Sequence, residues 1–187
     1  TTEIYTLSLH DALPIYAIQN IPLPEWGFRL LRDGVPAVTR HIQRSGRDTT
    51  KNIVSCKYFT RKWTEYLAER RITSPGCVVQ LPEGWGVAER EEWYKSISLA
   101  GWGGSSGHDS TMIAYDGLLH VADDWEELCL FAMLHGGDCD TTGAIAGAWR
   151  GALYGCQGVP ISNFDQVEFR GLLESLADGL LEKSKKE

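Results

Sequence analysis

The sequence predicts an all-α fold, on three observations. Apolar residues recur at three- and four-residue spacing along most of the chain, the period of a helix buried on one face. No segment alternates apolar and polar residues as a half-buried strand would. Residues that cap helices stand ahead of several apolar runs, and Pro or Gly punctuates between them.

Taken in order, residues 1–15 (TTEIYTLSLHDALPI) read unlike the rest of the chain. They lack the charged flank and small-residue cleavage site of a signal peptide and the arginine-rich character of a transit peptide. The stretch LSLHDALPI resembles a translated sequencing adapter. Residues 1–15 are therefore expected to be non-native, with natural sequence starting near Tyr16 and preceding sequence lost. The alternative is a genuine short helix ended by Pro14.

Residues 24–43 carry Trp26, Leu30, Leu31 and Val38 and are broken near Gly34 and Pro36, which predicts two short helices. Asp48 is placed to cap a longer helix burying Phe59, Trp63, Tyr66, Leu67 and Arg70, ended by Ser74-Pro75-Gly76. Another helix is expected over 88–98. After the glycine-rich segment 101–107, a helix from Asp109 or Ser110 should bury Met112, Tyr115, Leu118 and Leu119. Asp123 or Asp124 caps the next, whose apolar face is Trp125, Leu128, Cys129 and Ala132, with Glu126 and Glu127 in its favourable first turn. A last helix from Asn163 or Asp165 is expected to bury Phe169, Leu172, Leu173, Leu176 and Leu180, before a fraying charged tail at 183–187.

Composition narrows the function classes. The chain has 187 residues, 43% hydrophobic and 23% charged, enough for one domain core or a piece of a larger one. A net charge of −7 argues against a nucleic-acid or anionic-membrane surface. No apolar run approaches the ~20 residues needed to span a bilayer. Five scattered cysteines without a C-x-x-C pair suggest free thiols in a reducing, cytoplasmic setting.

Two segments carry candidate chemistry. In HGGDCDTTG (135–143) two carboxylates, Asp138 and Asp140, stand two residues apart with Thr141 directly after. Hard oxygen donors of this kind suit magnesium better than zinc or copper. The alternative is an N-cap turn with two solvated aspartates and no metal. Thr141 or Thr142 can cap the adjoining helix, in which glycines at 143, 147, 151 and 155 line one face. Flanked by Ala144, Ala148 and Ala152, that stripe predicts a buried helix packed almost backbone to backbone on a neighbour. His135 reads as a packed or hydrogen-bonded histidine, with metal ligation its second possible role.

The other segment, GWGGSSGHD (101–109), can present backbone N–H groups and the Ser105 and Ser106 hydroxyls to an anion. It matches neither Walker A nor dinucleotide-fold spacing, and glycine-serine loops without a ligand are common. Asp109 is expected to cap the next helix, or with His108 to orient the loop.

Taken in this order, GWGGSSGHDSTMIAYDGLL, the W-x-E-L-C helix and HGGDCDTTGAIAGAWRGALYG resemble the ADP-ribosylglycohydrolase family, most closely its ADP-ribosylarginine hydrolase branch. The resemblance runs from about Tyr16 to the C-terminus. It implies the C-terminal half of an all-α domain with a magnesium centre, two ions when intact, that hydrolyses the N-glycosidic bond between ADP-ribose and protein arginine. It implies Asp138, Asp140 and Thr141 as metal ligands, and Gly101, Gly103, Gly104, Ser105, Ser106 and Gly107 as substrate-binding residues. Leu99 stands where the family places an adenine-side aromatic. The family's other ligands, an acidic pair after a hydroxyl residue, have no upstream counterpart here, so the chain alone is expected to be nearly inactive. Its partner would be an arginine-ADP-ribosylated protein, and the full-length protein a monomer. The alternatives are a non-catalytic ADP-ribose-binding relative and a glycohydrolase of O-linked ADP-ribose. The residues that perform the bond cleavage are not assigned.

Overall fold

The computed structural model describes residues 12–185, and among them there is no strand. They fall into two compact units, one running to Gly155 and one starting at Cys156. No helix among the described residues is long and apolar enough to cross a membrane.

The first unit opens with α1 (Ala12–Ile18), whose Leu13 is fully buried. Residues 12–15, set aside on sequence grounds, are thus helical and contribute to the core; residues 1–11 lie outside the described residues. Two separate helices were expected over 24–43, and one continuous helical run is found. A 3-10 turn (Leu23–Glu25) leads into α2 (Trp26–Arg29), a π-helical segment (Leu30–Gly34) and α3 (Val35–Ser45). Pro36 lacks the N–H that an α-helix needs at that point. The chain absorbs this with a wider turn, in which the Val35 N–H reaches back to the Leu30 carbonyl.

Helix α4 (Thr49–Glu69) begins after Asp48, as expected, but Asp48 has φ 43° and makes no side-chain cap. The helix ends at Glu69, ahead of Ser74-Pro75-Gly76, where Arg70 and Arg71 leave helical geometry. Next come α5 (Val87–Ile97), α6 (Asp109–Val121), α7 (Trp125–Ala132) and α8 (Cys139–Tyr154). Asp124 does cap α7, accepting the Glu127 N–H at 3.0 Å.

The core is built around α4 and α6, with α7 and α8 packed on α6 and α1 on α8. Phe59 stacks on Trp63 at 5.7 Å and Trp63 on Tyr115 at 5.8 Å. Trp26 meets Trp149 edge-on at 6.2 Å. One buried ion pair ties α4 to α6: Arg70 Nε donates to Asp116 Oδ1 at 2.7 Å, and the Tyr66 hydroxyl donates to the same oxygen at 2.9 Å.

Two packing expectations fail. Helix α8 buries Thr142, Ala146, Trp149 and Arg150 rather than its glycine stripe. Gly143 and Gly147 lie against Met133, while Gly151 faces open space and Ala152 is exposed. Ala144 and Ala148 are exposed as well. Burial follows the bulky side chains, which leaves the small-residue face outward.

The second unit holds a 3-10 turn (Ile161–Asn163) and α9 (Arg170–Ser184). This helix starts later than expected and buries none of its residues; Leu172, Leu173, Leu176 and Leu180 are exposed, as is Phe169 just before it. Helical periodicity defines an apolar face, and it does not supply a surface to cover it.

Candidate metal centre and glycine loop

Between α5 and α6 the chain reverses at Ala100 and Gly101, both at positive φ, and enters the glycine-rich loop. Asp109, fully buried, holds both ends of that loop. Its Oδ2 accepts the Leu99 N–H at 3.2 Å and its Oδ1 accepts the Ser106 N–H at 2.8 Å. The expected helix-capping role therefore yields to the loop-orienting one.

His108 works beside it. Its Nε2 lies 3.0 Å from the Ile97 carbonyl and its Nδ1 2.8 Å from Ser106 Oγ, with Tyr58 edge-on at 5.0 Å. Burial pushes its pKa down, so the ring is neutral near pH 7.

The acidic segment is positioned as tightly. The Gly136 N–H donates to Glu91 Oε1 at 2.9 Å, a link from α5. His135 Nδ1 accepts the Gly137 N–H at 3.0 Å, so the neutral ring carries its proton on Nε2, 2.8 Å from Thr142 Oγ1. Thr142 in turn donates to the Ala132 carbonyl at 2.6 Å. His135 is the hydrogen-bonded histidine the sequence suggested, and burial lowers its pKa.

The two motifs meet backbone to backbone. The Asp138 N–H donates to the Gly103 carbonyl at 2.8 Å. A Cβ on Gly137 would overlap that same carbonyl. Gly104, at φ 87°, brings the loop so close that its Cβ would lie 2.7 Å from Thr142 Cγ2 and 3.0 Å from the Asp138 carbonyl. Only glycine fits at these two positions.

Helix α8 starts at Cys139, earlier than the expected cap at Thr141 or Thr142; Asp138 holds the cap position without a side-chain cap. The Asp138 and Asp140 carboxyl groups influence each other, which raises the pKa of Asp138 and lowers that of Asp140. The Thr141 N–H donates to Asp140 Oδ1 at 2.9 Å. Two like charges held this close are relieved by a shared proton or a cation. The donors are all hard oxygens, so the three residues fit part of a magnesium site. Among the described residues no group of three or more His, Cys, Asp or Glu side chains gathers as a metal cluster.

Gly104, Ser105, Ser106, Gly107, Asp138 and Thr141 line one shallow pocket of about 160 Å³, together with Ser110. Asp140 is exposed and does not line it. Gly101 lies exposed at the reversal, and Gly103 is buried beneath the pocket, where its carbonyl anchors Asp138. Asp109, Glu91 and Ser110 matter here more than the sequence indicated. Of these only Asp109 carried a signal, its place at the loop's end.

Comparison with known proteins agrees in kind. A family model described as ADP-ribosylglycohydrolase matches residues 27–187. The ADP-ribosylhydrolase ARH1 of Dictyostelium discoideum is 39% identical over 178 residues, covering 87% of this chain and 45% of that protein. A protein of Acanthamoeba polyphaga mimivirus, named as a putative ADP-ribosyl glycohydrolase, is 33% identical over 76 residues, 39% of this chain and 15% of its own. The chain thus spans about half the length of the Dictyostelium relative.

Proposed function

Given that this chain belongs to the ADP-ribosylglycohydrolase family, we propose that it forms part of a magnesium-dependent hydrolase of the bond between ADP-ribose and protein arginine. The observation that carries this is the junction of the two motifs. Asp138 hangs from the Gly103 carbonyl, so hard-cation ligands and a neutral anion cradle open into the same pocket.

Asp138, Asp140 and Thr141 would hold the metal, which when bound would stabilise charge on substrate oxygens. The chain's own residues do the positioning. Asp109 and His108 fix the loop, so its backbone can meet a diphosphate without reorganising. Glu91 and His135 fix the turn, which keeps the Asp138 carboxyl at the mouth of the pocket. Among the described residues no Lys or Arg lines the pocket, so anion binding would rest on N–H groups, hydroxyls and the positive end of α6.

The arginine linkage follows from likeness to the arginine-hydrolase branch, and the assay that tests it is release of ADP-ribose from peptides modified on arginine or on serine, in Mg2+ and in EDTA. The expected result is Mg2+-dependent release from arginine by a protein of the relative's full length, with little or none from these 187 residues alone. Preferential release from serine would overturn the linkage. Full-rate release by this chain alone would overturn the idea that it holds only part of the metal centre.

A further inference from the structure

Four hydroxyls line the pocket, those of Ser105, Ser106, Ser110 and Thr141. Two are already committed within the protein. Ser105 Oγ donates to the Trp102 carbonyl at 2.8 Å. Ser106 Oγ lies 2.9 Å from Asp109 Oδ1 and 2.8 Å from His108 Nδ1, so its one proton goes to one or the other. Thr141 is half-buried, on the Asp138 side of the pocket lining. The two serines that the sequence singled out as anion donors have thus committed their protons to building the loop.

Ser110 differs. It is the second residue of α6 and only 2% exposed, yet its hydroxyl makes no hydrogen bond to another protein group among the described residues. Its neighbour Thr111 shows the usual alternative, turning back to the Gly107 and His108 carbonyls at 3.2 and 3.1 Å. The residue is nearly buried, but its hydroxyl, left without a protein partner, lines the pocket, where a ligand can reach it. It stands in the first turn of a 13-residue helix, where the helix dipole favours an anion.

We propose that Ser110 is a ligand-contacting residue, its hydroxyl donating to a phosphate oxygen of a bound ADP-ribosyl group. This rests on the ADP-ribosyl function proposed above. A phosphate oxygen is the acceptor of choice because, Asp138 apart, the pocket is lined by neutral groups, and Ser110 stands at the positive end of α6. Ser110→Ala removes no hydrogen bond internal to the protein and places a better helix former in α6. The substitution therefore separates binding from folding.

The test is titration calorimetry with ADP-ribose and with ADP, in Mg2+, on the 187-residue chain and its Ser110→Ala variant, alongside thermal melts. The expected result is an unchanged or higher Tm and a roughly 10- to 100-fold weaker Kd for both probes, the range for one hydrogen bond to a charged group. Equal affinities with and without the hydroxyl would overturn the role of Ser110 and leave the ADP-ribosyl function standing. Loss confined to ADP-ribose would place the contact off the diphosphate and overturn the phosphate assignment. Weakened binding with a lowered Tm would make the residue structural. Failure of the unsubstituted chain to bind either probe would overturn the pocket as a phosphate site, and the role of Ser110 with it.

Discussion

Gly104 and Gly137 show how much of this site depends on single absent atoms. Each leaves a space that backbone of the opposite motif, or Thr142, fills. Gly137→Ala forces a Cβ onto the Gly103 carbonyl, a backbone atom that cannot swing aside. The variant should lose about 1–3 kcal/mol in urea unfolding and weaken any ligand that needs both motifs. His108 sets a pH dependence. Its pKa is lowered in the folded chain, chiefly by burial. As pH falls below about 6.5 the unfolded chain takes up a proton there that the folded chain resists, so stability is present above that pH and declines below it. The drop in Tm from pH 7 to pH 5 should be smaller in His108→Gln; an unchanged drop would show that His108 does not set the slope.

At the scale of elements, α8 separates what spacing reveals from what it conceals. The four-residue glycine repeat was legible, and so was the helix it marks. Which face is buried was not, because Thr142, Ala146 and Trp149 decide that by packing on partners distant in sequence. Gly151 accordingly carries the cost of glycine in a helix with no close contact to offset it. Gly151→Ala should stabilise the chain by roughly 0.5–1 kcal/mol in urea unfolding, and a loss would show a packing role there. The loop gives the same lesson. Its glycines and serines could be read from the chain as an anion cradle, since their chemistry is local. That Asp109 and Trp102 consume the serine hydroxyls depends on the fold of the loop, which no spacing encodes. The leucines of α9 were legible as one apolar face, and their exposure was not.

For the molecule as a whole, the all-α fold was readable because helical periodicity and capping agree along nearly the entire sequence. The joint that holds its two central helices was not, since Arg70 and Asp116 are 46 residues apart. Removing Asp116 leaves the Arg70 guanidinium buried among Tyr66, Trp85 and Trp93, with Glu69, half-exposed, as its remaining carboxylate. Asp116→Ala should cost about 3–5 kcal/mol of unfolding free energy, read from the denaturant midpoint. On that frame the acidic turn and the glycine loop are brought to one pocket, and the central claim is that they bind cation and ADP-ribosyl ligand together. The direct measurement is calorimetric titration of ADP-ribose in Mg2+ and in EDTA, on the chain and on an Asp138→Asn/Asp140→Asn variant. Binding that needs Mg2+ and disappears in the double variant is the predicted result; equal binding in EDTA, or by the double variant in Mg2+, would contradict it.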